Sequence, residues 1–402
     1  MALMPVADAL KAVLDGASAL PEETVALDDA FHRTLAQDLA ALRTQPPADM
    51  SAMDGYAVRV ADASLNARLK IIGEVAAGKP FDATVNTGEA VRIFTGGVIP
   101  KGADTVVIQE DTTREGDIVV VTEAAQPSRH IRRAGIDFRE GDILIRKGTP
   151  LTDRHLGLAA SANHPHLPVH RRPKVAILAT GDELVMPGTT PAHGQIVYSN
   201  GYALRPLIRS AGADVIDLGI AADTVEATTA AIRKARDLDA DVLVTTGGAS
   251  VGEHDLVKRA FESEGTQMSF WRIAMRPGKP MMSGRLGPMR VLGLPGNPVS
   301  SYVCGFLFLV PLIRALSGAA SVDHRHESAI LDRDLPTNDL RQDYQRARLD
   351  VGPDGVLRAM PVNHQDSSLV ANLASAGALI VRPPHAPAAA KGSAVSILRL
   401  PV

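Results

Sequence analysis

The sequence predicts an α/β and β multidomain protein: a central parallel α/β domain, an N-terminal mixed domain that carries an inserted β domain, and a C-terminal β-barrel-like domain. Three observations lead there. Strand and helix patterns alternate between residues 173 and 318, as in parallel sheets with right-handed crossovers. Residues 44 to 133 read instead as short β-branched runs, "AVRI", "TVVIQE" and "DIVVVTE", cut by Gly, Pro and Asp turns. Beyond residue 324, "SAILDRDL", "YQRARLDV" and "AVSILRL" alternate apolar and polar positions around further turns.

At 402 residues the chain exceeds one ordinary core, so two to four domains are expected. The texture divides it into 1–43 with 134–172, the insertion 44–133, the α/β domain 173–322 and the closing domain 323–402. Val6, Leu10, Val13 and Leu14 recur at helical spacing, and "LPEE" at 20 to 23 breaks that pattern. "GDILIRKGTPLTDRHLGLAASA" returns to mixed strand and helix, which makes the β region an insertion.

Next, "KVAILAT", "DVIDLGIA", "DVLVTTGG" and "VLGLPG" read as strands. "SNGYALRPLIRSAGA", capped by Ser199, and "TVEATTAAIRKARD" read as helices between them. The apolar run Tyr302 to Ile313 around Cys304 contains Pro311 and falls short of the roughly twenty residues that span a bilayer, so it reads as a core helix.

Composition is that of a globular protein, 45% hydrophobic and 22% charged, with a net charge of −3. No global basic field exists to hold nucleic acid or an anionic membrane, so any anionic ligand must be held locally. The single cysteine excludes an internal disulfide framework and a multi-cysteine zinc site, and it suits a reducing cytosol. The N-terminus lacks a basic leader region and places Asp8 and Lys11 within its apolar segment, so a cytoplasmic location is expected.

Chemistry should sit where parallel strands end. Three glycine-bearing loops fall there, "ATGDELVMPG", "TTGGASVGEHD" and "GLPGNPVSS". Each offers backbone N–H groups and a following helix N-terminus, a natural seat for phosphate or another oxyanion. Acids accompany them: Asp182 and Glu183 in the first loop, Glu253 and Asp255 flanking His254 in the second. Carboxylates beside an anion require a cation between them, and Mg²⁺ takes one or two carboxylates together with phosphate oxygens and water. The plainer alternative for Glu253 and Asp255 is a favourable charge at a helix N-terminus. His254 reads as a capping or solvent-facing group.

Positive charge comes from "WRIAMRPGKP", where Arg276 and Lys279 bracket a Pro-Gly turn and would reach one anion as fork and point charge. If "WRIAMR" is extended, Arg272 shares a face with Arg276. A second basic stretch, "RHIRRAG", precedes Asp137, and "PPADMSAMDGYAVR" leads methionines and small residues to Asp54.

In this order, "SAMDGYAV", "RIFTGG", "IRRAGID", "TGDEL", "YSN", "TTGGASVGEHD", "MRPGKP" and "GLPGNPVS" resemble the MoeA family, the molybdopterin molybdenumtransferases of molybdenum cofactor synthesis. The resemblance covers nearly the whole chain, and residues 173 to 318 also resemble the stand-alone molybdopterin adenylyltransferase. It implies adenylylated molybdopterin and molybdate as substrates, Mg²⁺-dependent cleavage of the pyrophosphate bond, release of AMP, and molybdenum left on the dithiolene. It also implies an elongated homodimer whose cleft lies between the α/β domain of one chain and the β domain of the other. The adenylyltransferase is a candidate partner.

Carried onto this chain, the resemblance assigns catalysis to Asp54, Asp137, Glu183, Asp255, Arg272, Arg276 and Lys279, with Glu183 and Asp255 on the metal. Substrate binding falls to Thr180, Gly181 and Asp182, to Ser199 and Asn200, and to Asp223. It continues through Thr246, Gly247, Gly248, Ser250 and Gly252, then Pro295, Gly296 and Asn297, and reaches Ser367 in "QDSSLVAN". Arg276 stands where Lys is commoner. Two other readings share these residues: an adenylyltransferase acting on ATP, and a non-catalytic pterin-binding scaffold.

Overall fold

The computed structural model describes residues 3–247 and 256–401. At its centre, Lys174–Thr180 lies between Asp214–Ala221 and Val242–Thr246, and Met289–Leu294 follows on the far side, all parallel. The reason is in the side chains: Val175 to Ala179 and Val242 to Val244 are fully buried, the continuous apolar runs that a sheet covered on both faces requires. Val6–Leu14, Asn200–Ser210 and the long helix from Pro298 pack on one face. Val225–Asp237 and Leu256–Ser263 cover the other, with Ile232, Ala235, Val257 and Phe261 turned inward.

The sheet is not parallel throughout. Pro280–Leu286 pairs antiparallel with Met289–Leu294, and Gln267–Arg272 antiparallel with Pro280–Leu286. A tight turn at Gly287 closes that hairpin and needs no crossover helix, which is why strand–helix alternation did not reveal it. "WRIAMR" is likewise not one extended segment. The first strand stops at Arg272, and Met275–Arg276 crosses over to pair in parallel with Gln342 and Asp343 of the C-terminal domain, so the two arginines share no strand face.

Ser199 holds the N-cap position of Asn200–Ser210 but makes no capping hydrogen bond, whereas the Thr224 hydroxyl accepts from the Ala227 N–H at 3.1 Å. The Cys304 helix is longer than its apolar run indicated. Asn297 and Pro298 start it, a π turn Gly305–Leu309 interrupts it, and Val310–Leu316 completes it. Pro311 is tolerated because it opens the resumed α segment. This helix is long and apolar enough to cross a bilayer, yet 83% of it is buried among other elements, as a core helix should be. Cys304 is fully buried, and burial pushes its thiol up to about 12.

Residues on either side of the β region fold together: Glu22–Ala26 pairs with His166–His170, and Leu39–Ala40 with Ile143–Ile145. Between them, Gly55–Val58 lies in a six-stranded sheet, flanked by the edge strand Thr105–Ile108 and by Glu89–Ile93. In the C-terminal region, Gln342–Val351 pairs with both Leu357–Pro361 and Ala378–Arg382, while His326–Leu331 and Ala394–Arg399 complete the ring. That closure makes a barrel around Leu331, Ala347, Ile380 and Ile397.

Candidate functional site

A cavity of about 1080 Å³ opens at the carboxyl ends of Lys174–Thr180, Val242–Thr246 and Met289–Leu294. The first loop contributes Thr180, Gly181 and Glu183, and the segment leading into the next helix contributes Tyr198, Ser199 and Asn200. Asp223, Thr246, Gly247 and Lys279 line it further round, and Pro295, Gly296 and Asn297 close it from the last strand. Gly247 has a local reason: its φ is +93°, and an added Cβ would meet the Thr180 carbonyl. Only glycine lets these two strand ends approach so closely.

One wall is acidic. The Asp223 N–H donates to Asp182 Oδ1 at 3.0 Å and the Asp182 N–H to Asp223 Oδ2 at 3.4 Å, a reciprocal pair that sets both carboxylates beside Glu183. Burial, and then the charges of Asp182 and Glu183, push the Asp223 carboxyl above its ordinary value. The opposite wall carries Lys279, exposed and without an ion pair to any described residue. Below lie hydroxyls in need of partners: Thr180, Thr246 and Tyr198 are at most 4% exposed and their oxygens have no hydrogen bond among the described residues.

The C-terminal domain completes the rim. Asn297 Nδ2 donates to Ser367 Oγ at 3.1 Å, the Val299 N–H to the Ser367 carbonyl at 3.1 Å, and Ser368 and Val370 face the cavity. Asn200 Nδ2 binds the Gly296 carbonyl at 2.8 Å and so links two of the loops. Arg346, 1% exposed, supports the Ser367 loop from beneath: its N–H donates to Gln365 Oε1 and its guanidinium to the Asp366 carbonyl, each at 2.9 Å.

Most of the substrate-binding residues read from the sequence therefore converge. Four of the proposed catalytic residues do not line this cavity. Asp54 lies in the β region, where the Thr95 N–H and hydroxyl donate to its carboxylate at 2.7 and 2.8 Å and hold it below the usual carboxylate range. Asp137 sits beside Gln45, to whose carbonyl its N–H donates at 3.2 Å. Arg272 ends its strand, half-buried. Arg276 is engaged by Asp343, Asn338 and Asp339. Asp255, Gly248, Ser250 and Gly252, with Glu253 and His254, lie outside the described residues.

Tyr198, Arg346 and Ser368 went unread in the sequence. Tyr198 directly precedes "SN", and Arg346 interrupts the alternation of a barrel strand; those were the signals available. Burial pushes the Tyr198 phenol up to about 12. Among the described residues no group of three His, Cys, Asp or Glu gathers to hold a metal ion. Glu183, one of two carboxylates that line the cavity beside Asp223, still fits a Mg²⁺ ion that takes its other ligands from phosphate, water and one further acid.

Residues 4–163 match the model of the MoeA N-terminal region (domains I and II), 176–315 that of a probable molybdopterin binding domain, and 328–400 that of the MoeA C-terminal region (domain IV). A molybdopterin molybdenumtransferase of Haemophilus influenzae is 37% identical over 361 residues, 89% of each chain. The chain belongs to the MoeA family. Another molybdopterin molybdenumtransferase, from Nostoc sp., is 36% identical over 391 residues, 94% of this chain and 89% of its own. The MoeA architecture recurs in a crystal structure of the molybdopterin biosynthesis MoeA protein from Pyrococcus horikoshii, at a TM-score of 0.84 and 28% identity across 99% of this chain and 100% of that one.

Proposed function

We propose that this MoeA chain inserts molybdenum into adenylylated molybdopterin, cleaving the pyrophosphate bond with Mg²⁺ and releasing AMP. The observation that carries this reading is the cavity itself, where Gly181, Gly247 and Gly296 of the strand-end loops, the carboxylates of Glu183 and Asp223, the latter paired with Asp182 behind it, and Lys279 line one space. Two multiply charged anions, pyrophosphate and molybdate, meet there, and neither tolerates the other without neutralisation.

In this scheme Lys279 and the loop N–H groups bind anion oxygens, and Thr180, Thr246 and Asn297 orient them. Glu183 and Asp255 would hold the Mg²⁺, which when bound supplies charge neutralisation on the phosphate oxygens. Asp54 and Asp137 serve from a second copy of the chain, whose β region covers the cavity; neither lines the cavity of its own chain, which agrees with that role. Charge growing on the leaving phosphate is then met by groups already in place, which is what raises a rate.

The test is AMP release from adenylylated molybdopterin with Mg²⁺ and molybdate. Asp255→Asn should slow it by about 10²-fold, the scale for a lost key electrostatic group. Unaltered release in that variant rejects the site, and ATP consumption with molybdopterin alone would assign the chain to adenylyl transfer instead.

A further inference from the structure

The turn that carries Lys279 is braced from another domain. Arg276 Nη2 donates to Asp343 Oδ2 at 2.8 Å and to Asn338 Oδ1 at 3.1 Å, and Nη1 to Asp339 Oδ2 at 3.4 Å. Asp343 is only 5% exposed and Asn338 8% exposed, so the guanidinium fork meets partners fixed in the end of the barrel. The backbone follows the side chain: Met275 and Arg276 pair in parallel with Gln342 and Asp343. On the other side of the turn, Pro277 and Gly278 are buried, and Gly278 lies against Cys304 of the long core helix. The Ile273 N–H then closes the loop by donating to the Lys279 carbonyl at 2.8 Å.

These contacts divide two cations that the sequence placed side by side. Lys279 lines the cavity and has no ion pair to a described residue, whereas Arg276 does not line it and has two carboxylates against it. Turning Arg276 toward a cavity anion would take the arginine away from the buried Asp343 carboxylate and leave its Oδ2 only the Gln345 amide, which donates to it at 2.9 Å. A lysine would reach Asp343 with a point charge but could not hold Asp343, Asn338 and Asp339 at once; the planar fork of arginine does.

We propose that Arg276 is a positioning residue and not an oxyanion ligand: tied to Asp343, it fixes the 276–279 turn so that Lys279 meets the anion, and it makes the C-terminal barrel a working part of the anion site. This rests on the reading of the cavity as the place where molybdate binds. Through this brace, any shift of the barrel against the α/β domain moves the one described cation that lines the cavity. Coupling between the two domains is thereby written into a side-chain contact.

Steady-state AMP release at varied molybdate, on the full-length protein, tests it with Arg276→Met, Asp343→Asn, both together, Arg276→Lys and Lys279→Met. The expected pattern is an apparent molybdate KM raised about tenfold by Arg276→Met and by Asp343→Asn, with kcat within about twofold and the double variant no worse than either single one, as two halves of one contact require. Arg276→Lys should recover part of the loss. Amide exchange at Ile273 should quicken in both single variants.

If Arg276→Met raises KM while Asp343→Asn leaves it alone, the guanidinium is itself the ligand and the proposal is overturned. A fall in kcat with unchanged KM overturns it as well, since that is what loss of general stability at the domain junction would produce, and so does unchanged Ile273 exchange. Lys279→Met separates the two levels. Without effect on molybdate KM, it defeats the reading of the cavity; with an effect that Arg276→Met and Asp343→Asn fail to reproduce, the brace alone falls.

Discussion

The side-chain amide of Asn297 donates to the hydroxyl of Ser367 at 3.1 Å, joining the last loop of the α/β sheet to the C-terminal domain. Asn297 is well placed to do so because it precedes the long helix and its carbonyl already accepts from the Ser301 N–H at 2.8 Å. Ser367→Ala removes the side-chain bond but spares the backbone bond from Val299. The expected result is a two- to tenfold rise in apparent substrate KM and a stability loss of about 1 kcal/mol or less, the usual worth of one such bond. Substrate titration and urea unfolding of the variant check the two parts separately.

Gly278 offers a second test, with two independent causes. Its φ of +104° is one that side-chain-bearing residues rarely adopt, and a Cβ there would overlap Cys304 Sγ. Gly278→Ala should destabilise by about 2 to 4 kcal/mol, combining backbone strain and overpacking. Cys304→Ala in the same protein makes room for the methyl group but leaves the backbone unrelieved, so it should restore only part of the unfolding temperature. Full recovery would show that packing is the whole effect.

Much of this architecture was legible because burial writes itself plainly. Lys174–Thr180 and Val242–Thr246 carry the continuous apolar runs 175–179 and 242–244 and end in glycine loops, and such strands in a parallel sheet place their loops at one end, where the cavity lies. Arg276 was not legible in the same way. Its neighbours in sequence resemble an anion-binding turn, while the group that captures it, Asp343, lies 67 residues further on in another domain. The hairpin of Pro280–Leu286 escaped notice because "PMMSGRL" holds neither an alternating nor a continuous apolar pattern. Asp54 and Asp137 line no part of the cavity.

His324 predicts an acid-sensitive junction between the long helix and the barrel. Its ring stacks on Phe306, with centroids 3.8 Å apart, and Nε2 lies 2.6 Å from the Phe306 carbonyl. Burial, aided by the charges of Arg314 and His326 and opposed by that carbonyl and by Asp323, lowers its value to about 4. The folded state thus resists a proton that the unfolded chain takes up near pH 6.5. The associated stability is complete above pH 6.5 and is lost as pH falls through about 4. Between pH 7 and 4 the wild type should lose about 2 to 3 kcal/mol more than His324→Gln, read from urea midpoints at the two pH values.

Asp223 predicts the opposite sign and ties stability to the site. Its carboxyl is held above the ordinary value of 3.8, first by burial and then by the charges of Asp182 and Glu183. A raised carboxyl means that the folded protein binds this proton more tightly than the unfolded chain, so the stability it contributes is present below the ordinary value and is lost as pH rises through the folded one. At neutral pH the charge is therefore a liability to the fold. Asp223→Asn keeps an oxygen to accept the Asp182 N–H and removes that charge. The variant should unfold at a higher temperature than the wild type at pH 7, and the gain should vanish below about pH 4, where Asp223 is protonated in either state. If the acids of this wall serve the reaction, the same variant should be slower in AMP release, because a cluster retained against the interest of stability is retained for chemistry. Calorimetry at both pH values, alongside the activity assay, measures the two effects on one protein; a variant that is neither more stable at pH 7 nor slower would show that the crowding of Asp182, Glu183 and Asp223 has no cost to relieve and no task to perform.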